Sequence, residues 1–278
     1  MRVAAVGFTP VKGMRHASYD AVLLGEHGPV GDRAFCLVDV PRRQVLRTVQ
    51  NPSLVAVRAR WDGRVLDLVL PSGETSSAAP TPSGDRITCD YWGREAALDL
   101  LDGPHAALVS SWLGFPVRLA AAPPGAVVYG APVSVMSLAF LRDLADRLGR
   151  PDLLGEAARL RATVVVDTDE PYAEEAWAGR TLRLGAATVR VNAPIPRCAV
   201  IDLDPSTGVA SAPLLKALAG RPGAASGALD FGVDAHVVEP GVVRPGDGVE
   251  IGRRPSTPPD TGSTGPRRPG APAPRPGP

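Results

Sequence analysis

Short β-type runs, cut at close intervals by turn residues, most constrain what this chain can fold into. They lie at Val3–Gly7, Ala34–Val40, Val55–Trp61, Arg64–Leu70, Thr163–Asp167, Thr181–Leu184, Ala187–Val191 and Arg197–Leu203. Runs of this length, rich in β-branched residues and bounded by turn formers, read as strands. Asp62-Gly63 sits between two of them and readily takes the positive φ angles of a type I′ turn, which predicts a hairpin. Alternation across Arg58, Arg60, Arg64 and Asp67 puts polar side chains on one face of that hairpin. Helical periodicity is confined to three short stretches. Leu138, Leu141, Leu144 and Leu148 recur at helical steps, with Ser137 as cap and Gly149 as terminator. Pro104–Leu113 is a second, with Asp102 as cap and Gly114 as terminator, and Pro213–Ala219 a third. Many strands with few helices predict a mainly β (α+β) fold of barrel type, not a nucleotide-binding α/β sheet.

Between Leu119 and Leu141 no residue is charged, but Pro123, Pro124, Gly125, Gly130 and Pro132 would break a membrane-spanning helix. A loop, a core strand and a helix start are expected there. The formal net charge of +1 gives no reason to expect nucleic acid as a partner. Cys36, Cys89 and Cys198 form an odd, widely spaced set without a C-x-x-C, against a disulfide framework, a structural zinc site or an iron–sulfur cluster. The apolar run at Met1–Phe8 is too short for a signal peptide, so a reducing cytoplasm is the expected home. From about Arg253 the chain is rich in Pro, Gly, Ser, Thr and Arg without a large apolar residue, a composition expected to be disordered.

Cys198 follows Pro194-Ile195-Pro196-Arg197 and precedes the turn Asp204-Pro205-Ser206-Thr207-Gly208. The thiol therefore lies at a loop–strand junction with a cation beside it, and the thiolate is the form that binds metals. A buried, inert cysteine is the competing reading. Lys12 in Pro10-Val11-Lys12-Gly13 and Arg33 in Gly31-Asp32-Arg33 are cations at strand ends beside glycines, suited to phosphate or simply solvated. Arg159 and Arg161 precede an apolar strand and call for an anion, either a ligand or a carboxylate. The acidic run Asp167, Asp169, Glu170, Glu174 and Glu175 lacks calcium-loop spacing and reads as a solvated loop. No Walker loop, G-x-G-x-x-G or histidine pair for zinc is present.

Taken in order, these segments resemble the MOSC superfamily, in the branch with an N-terminal β-barrel domain that includes the mitochondrial amidoxime-reducing components and bacterial relatives. Leu160-Arg161-Ala162-Thr163 and the valines after it resemble the family's F-R-P-N-hydrophobic stretch, and Tyr172–Trp177 its Y-A-E-D-x-W loop. Arg197-Cys198 with Asp204–Gly208 matches R-C…D-P-x-T-G; Phe231-Gly232-Val233 and Pro240–Asp247 match the closing strands. The family's C-x-R-C reads Ile195-Pro196-Arg197-Cys198, its asparagine is Thr163, and its R-Q-x-P is Val49-Gln50-Asn51-Pro52.

The resemblance implies an N-terminal barrel-type domain over 1–120, a MOSC β-barrel over 121–252 and a tail over 253–278. It implies that Cys198 is the thiolate ligand to molybdenum and the catalytic centre, and that Lys12, Arg33, Arg161, Thr163 and Arg197 bind the molybdenum cofactor (Mo-molybdopterin). The activity implied is reduction of N-hydroxylated small molecules with electrons from a separate electron-transfer protein, without membrane or nucleic-acid partners. A non-catalytic carrier of the cofactor or of sulfur is the main alternative. A barrel that binds a small anion or another protein without metal is the third.

Overall fold

Three consecutive valines in the strand Val164–Asp167 are all buried, and their side chains go to two different cores. In the computed structural model, which describes residues 1–221 and 229–252, Val164 and Val166 join one core and Val165 packs into another beneath helices. A strand covered on both faces reads as a continuous apolar run, which is why no alternation shows there.

The sheet that carries this strand has eight strands. Their order is Val249–Ile251, Thr181–Leu184, Ala187–Pro196, Asp230–Glu239, Val133–Ser137, Val164–Asp167, Arg2–Phe8 and Ala17–Tyr19. The start of strand Arg2–Phe8 is tied to the segment before Val249–Ile251: Arg2 bridges Gly248, and the amides of Gly246, Val3 and Val249 donate to Val3, Asp247 and Met1 at 2.8, 2.9 and 3.1 Å. One face of the sheet is packed with Val3, Val6, Val133, Leu182, Val189 and Val233. Outside it, helices Leu138–Leu148 and Leu214–Ala219 and the 3-10 segment Pro151–Leu160 cover Met136, Val165 and Phe231. Two N-terminal strands thus complete a sheet otherwise built after residue 132.

The smaller barrel closes through Thr81–Tyr91, Arg94–Asp102, Arg118–Ala121, Phe35–Asp39 and Gln44–Val45. Period-2 alternation sorts its residues: Cys36, Val38, Cys89, Tyr91 and Leu98 share one core. Phe35, Leu37 and Leu119 instead pack with helix Pro104–Leu113 and the sheet Arg58–Trp61, Leu66–Val69 and Thr75–Ala78. This is the mainly β architecture, with a barrel in the N-terminal part, that the sequence predicts.

Several local expectations hold and others do not. Helix Leu138–Leu148 starts at Ser137, whose hydroxyl accepts from the Phe140 amide, and stops at left-handed Gly149. Helix Pro104–Leu113 is capped by Gly103 rather than by Asp102, which pairs with Arg118 at 3.1 Å instead. Arg197–Leu203 is not a strand. The ladder ends at Pro196, since prolines without an N–H cannot continue it, and Ala199–Asp202 turns as a 3-10 helix. The Asp62-Gly63 hairpin exists, but pairing stops at Trp61 and Leu66, leaving a loop of residues 62–65 held by Asp62 Oδ1. The type I′ chemistry sits at Trp92-Gly93, with φ of 56° and 75°, in a polar hairpin that the apolar pattern did not reveal. Among the described residues no helix is long and apolar enough to cross a membrane. The tail from residue 253 lies outside the described residues.

Candidate functional site

The strand Arg2–Phe8 leaves the large sheet and hands the chain to the small barrel, and the site forms at that seam. The segment after it zips along residues 33–35. The Arg33 amide donates to Thr9 O at 2.7 Å, Phe35 N to Pro10 O at 3.1 Å, and Lys12 N to Phe35 O at 2.8 Å. This pairing places Lys12 and Arg33 together although they lie far apart in sequence. Asp32 secures the arrangement by accepting from the Thr9 amide at 3.0 Å and from the Arg33 guanidinium.

Arg161 arrives from the other body. It ends the 3-10 segment Pro151–Leu160 in the left-handed region, with φ of 55°, and donates to Met14 O at 2.7 Å and Thr9 Oγ1 at 3.0 Å. Arg33 is also left-handed, with φ of 48°. Left-handed backbone costs a residue with a Cβ about 1–2 kcal/mol, so packing must hold both arginines there. Backbone strain of this kind concentrates at functional sites.

The electrostatics are those of cations pressed together. Burial pulls Lys12 well below its usual range, and the charges of Arg33 and Arg161 add to that. Burial, then Arg33, brings Arg161 down to about 10. Burial, then Arg161 and Arg33, brings His16 to about 3, so it stays neutral. Among the described residues Arg33 pairs with Asp32, and neither Lys12 nor Arg161 has an ion-pair partner. Lys12 Nζ lies 5.2 Å from the Tyr91 ring centre, and Arg33 Nε is buried without a hydrogen-bond partner. Buried donors without acceptors are costly, and an anion would relieve them.

Cys198 is exposed, and its neighbour Arg197 reaches the carbonyl of Leu160, the residue before Arg161. Arg197 is anchored to backbone carbonyls. Its Nε donates to Phe231 O at 3.0 Å, its Nη1 to Leu160 O at 3.2 Å, and it stacks on the Phe231 ring at 3.9 Å. It brackets the residues before Arg161 and Cys198, leaving Nη2 without a partner. Gly232, at φ +64°, makes room: a Cβ there would stand 3.0 Å from that Nη2 and 3.0 Å from Val135 O. The Thr163 hydroxyl is taken up by Ser134, each hydroxyl accepting from the other's amide at 3.2 and 3.0 Å. Arg159 resolves as structural, buried against Glu156, Ile201 O and Ser211.

Thr9, Asp32, Tyr91 and Glu174 were not singled out from the sequence as site-building residues. Asp32 stands beside Arg33, and that adjacency was the available signal. Glu174 corrects the reading of the acidic run as solvated. It is fully buried on the 3-10 segment Ala173–Trp177, and neither oxygen has a hydrogen-bond partner of good geometry. Burial raises its carboxyl above the usual range, with Ser137 offsetting part of that. A raised folded-state value stabilises the protein at low pH, and that contribution is lost as pH rises above the unfolded carboxylate value. Glu174→Gln should therefore flatten this fall and raise neutral-pH stability by about 1–2 kcal/mol. Urea midpoints at pH 4.5 and 7.5 check this; a variant less stable at pH 7.5 would count against an unpaired burial.

A family model described as a MOSC domain matches residues 121–250, and one described as a MOSC N-terminal beta barrel domain matches residues 1–114. No curated protein matches the chain. Among solved structures, the YUAD protein from Bacillus subtilis is similar at 12% identity and a TM-score of 0.40, over 90% of this chain and 94% of its own. YiiM from Geobacillus stearothermophilus is similar at 18% identity and a TM-score of 0.34, over 44% of this chain and 55% of its own. A protein of Bordetella bronchiseptica, its structure solved in solution, is similar at 19% identity and a TM-score of 0.26, over 39% of this chain and 92% of its own.

Proposed function

The chain belongs to the MOSC superfamily and carries its N-terminal β-barrel domain, and from that membership we propose that it is an oxidoreductase that binds the molybdenum cofactor. MOSC domains are associated with binding of this cofactor. One observation carries the reading: Lys12, Arg33 and Arg161 are crowded together with a carboxylate partner for Arg33 alone among the described residues, and the adjoining segment carries an exposed thiol at Cys198. The donor set fits the group. Among the described residues no cluster of three His, Cys, Asp or Glu could hold a bare metal. A metal that brings its own organic dithiolate needs one more soft ligand and a place for its phosphate.

In this reading Cys198 is that ligand, since thiolates suit soft metal centres. Lys12, Arg33 and Arg161 hold the phosphate through charge-assisted hydrogen bonds. Thr9 and Asp32 aim Arg161 and Arg33. Arg197 fixes the approach to Cys198, and Thr163 serves through its backbone, accepting from the Gly7 amide at 3.0 Å. When bound, the cofactor supplies two-electron redox chemistry, and the protein supplies ligand, cavity and access. The substrate is a small N-hydroxylated molecule, and electrons come from a separate electron-transfer protein.

Protein made in a host that synthesises the cofactor should carry about one molybdenum and one pterin per chain and reduce an N-hydroxylated amidine with reduced viologen. Elemental analysis, pterin fluorescence and turnover are the measurements. Metal and pterin without turnover would support a cofactor carrier instead, and their absence would support a barrel that binds a simpler anion.

A further inference from the structure

The polar face of the sheet Arg58–Trp61, Leu66–Val69 and Thr75–Ala78 has no part in the site above. Against it and the strand Ala17–Tyr19 lies an open groove of about 750 Å³. That is the size of a cavity for a small organic ligand. Alternation sends Arg58 and Arg60 to the outer face of their strand, both exposed, with Ala59 buried between them. Arg15 stands at the groove and also borders a small cleft shared with Arg161, Val200 and Pro205, so the groove opens beside the Cys198 segment.

Charge and unmet hydrogen bonding select the ligand. Arg15, Arg58 and Arg60 line the groove against two carboxylates, Asp20 and Asp67, and Asp67 already accepts from the Ser77 hydroxyl. Among the described residues none of the three arginines has an ion-pair partner. Arg15 is anchored by donating Nη2 to Ala56 O at 3.2 Å, yet its Nε has no partner. Tyr19 is anchored by stacking on Phe8, with ring centres 4.3 Å apart, yet its hydroxyl has none either. His16 is neutral and adds no charge. Among the groups that line the groove, three cations therefore face two carboxylates.

We propose that this groove binds a small organic anion, a molecule whose carboxylate or phosphate oxygens accept from the exposed guanidinium groups of Arg58 and Arg60. The inference is independent of the molybdenum reading, because none of these groups needs the cofactor to be in place. Arginine forks suit both anions, so the charged group is decided by the test.

The full chain, isotope-labelled and prepared without cofactor, is titrated with phenyl phosphate, with benzoate and with neutral benzyl alcohol. Backbone amide shifts of residues 58–61 and 75–77 report the groove, and those of Lys12 and Arg33 report the other cationic cluster. At least one anion should give saturable shifts in the groove amides, and benzyl alcohol none. The double variant Arg58→Gln, Arg60→Gln alters exposed side chains and should keep the fold while weakening groove binding about tenfold or more. Tighter binding of one anion supports the proposal and names the charged group. Shifts confined to the Lys12 and Arg33 amides, equal shifts with benzyl alcohol, or unchanged groove binding in the double variant would each overturn it.

Discussion

Cys198→Ser should fold as the parent does yet lose most of its molybdenum, with turnover falling by about a hundredfold or more. The side chain is exposed, and the hydrogen bond that this residue contributes to its surroundings is a backbone one, Cys198 O accepting from Ile201 N at 3.2 Å. Exchanging a thiol for a hydroxyl there should change stability by no more than about 0.5 kcal/mol. The ligand chemistry changes far more, because a serine oxygen is harder and poorly ionised near neutral pH. Pterin should persist in part, since Lys12, Arg33 and Arg161 remain to hold its phosphate. Cys36→Ser and Cys89→Ser are the controls. Both thiols line the core of the small barrel, and burial pushes the Cys36 thiol up to about 12, followed by its neighbour Cys89. These two variants should lower stability and leave metal content per folded protein unchanged. Parent-like metal and turnover in Cys198→Ser would sink the assignment of this thiol.

How much of this was legible in the sequence depends on which force decides each feature. The helix at Leu138–Leu148 was legible because periodicity, cap and terminator all act within one turn of the residues concerned. The polar hairpin Thr81–Asp102 was not, because its stability comes from closing a barrel rather than from its own composition. Lys12, Arg33, Arg161 and Cys198 were singled out by motif, but not the path that places Lys12, Arg33 and Arg161 together. That path depends on residues 9–12 pairing with 33–35 and on Arg161 crossing the seam to Thr9 and Met14. The left-handed backbone at Arg33 and Arg161 also leaves no mark, since glycine is the residue that advertises such angles. Arg197 shows the limit most clearly. Its place beside Cys198 suggested a cofactor contact, and the carbonyl contacts at Leu160 and Phe231 that also hold it left no mark in the sequence.

The turn after Cys198 offers the largest effect on stability. Asp204–Gly208 is wound tightly, with the Gly208 amide donating to Asp204 O at 2.8 Å and the Ser206 amide to Asp204 Oδ1 at 2.6 Å. Gly208 has φ of +74° and faces backbone from the first half of the chain: a Cβ would stand 2.6 Å from Ser53 Cα and 2.7 Å from Pro52 O. Neither obstacle is a flexible side-chain tip, so nothing can swing aside. Gly208→Val adds a clash with backbone to the cost of a β-branched residue in the left-handed region. Together these should remove about 3 kcal/mol or more. Gly208→Ala meets the same Cβ clash with less bulk and should cost about half as much. The strain should also reach the site, because this turn closes the segment that begins at Cys198, so the valine variant should load less molybdenum even below its melting point. Thermal unfolding, followed by metal analysis of the folded fraction, tests both consequences. A melting temperature within a degree or two of the parent would mean that the turn does not press on Pro52 and Ser53 in solution. Lower stability with full metal loading would mean that the turn supports the fold without positioning Cys198.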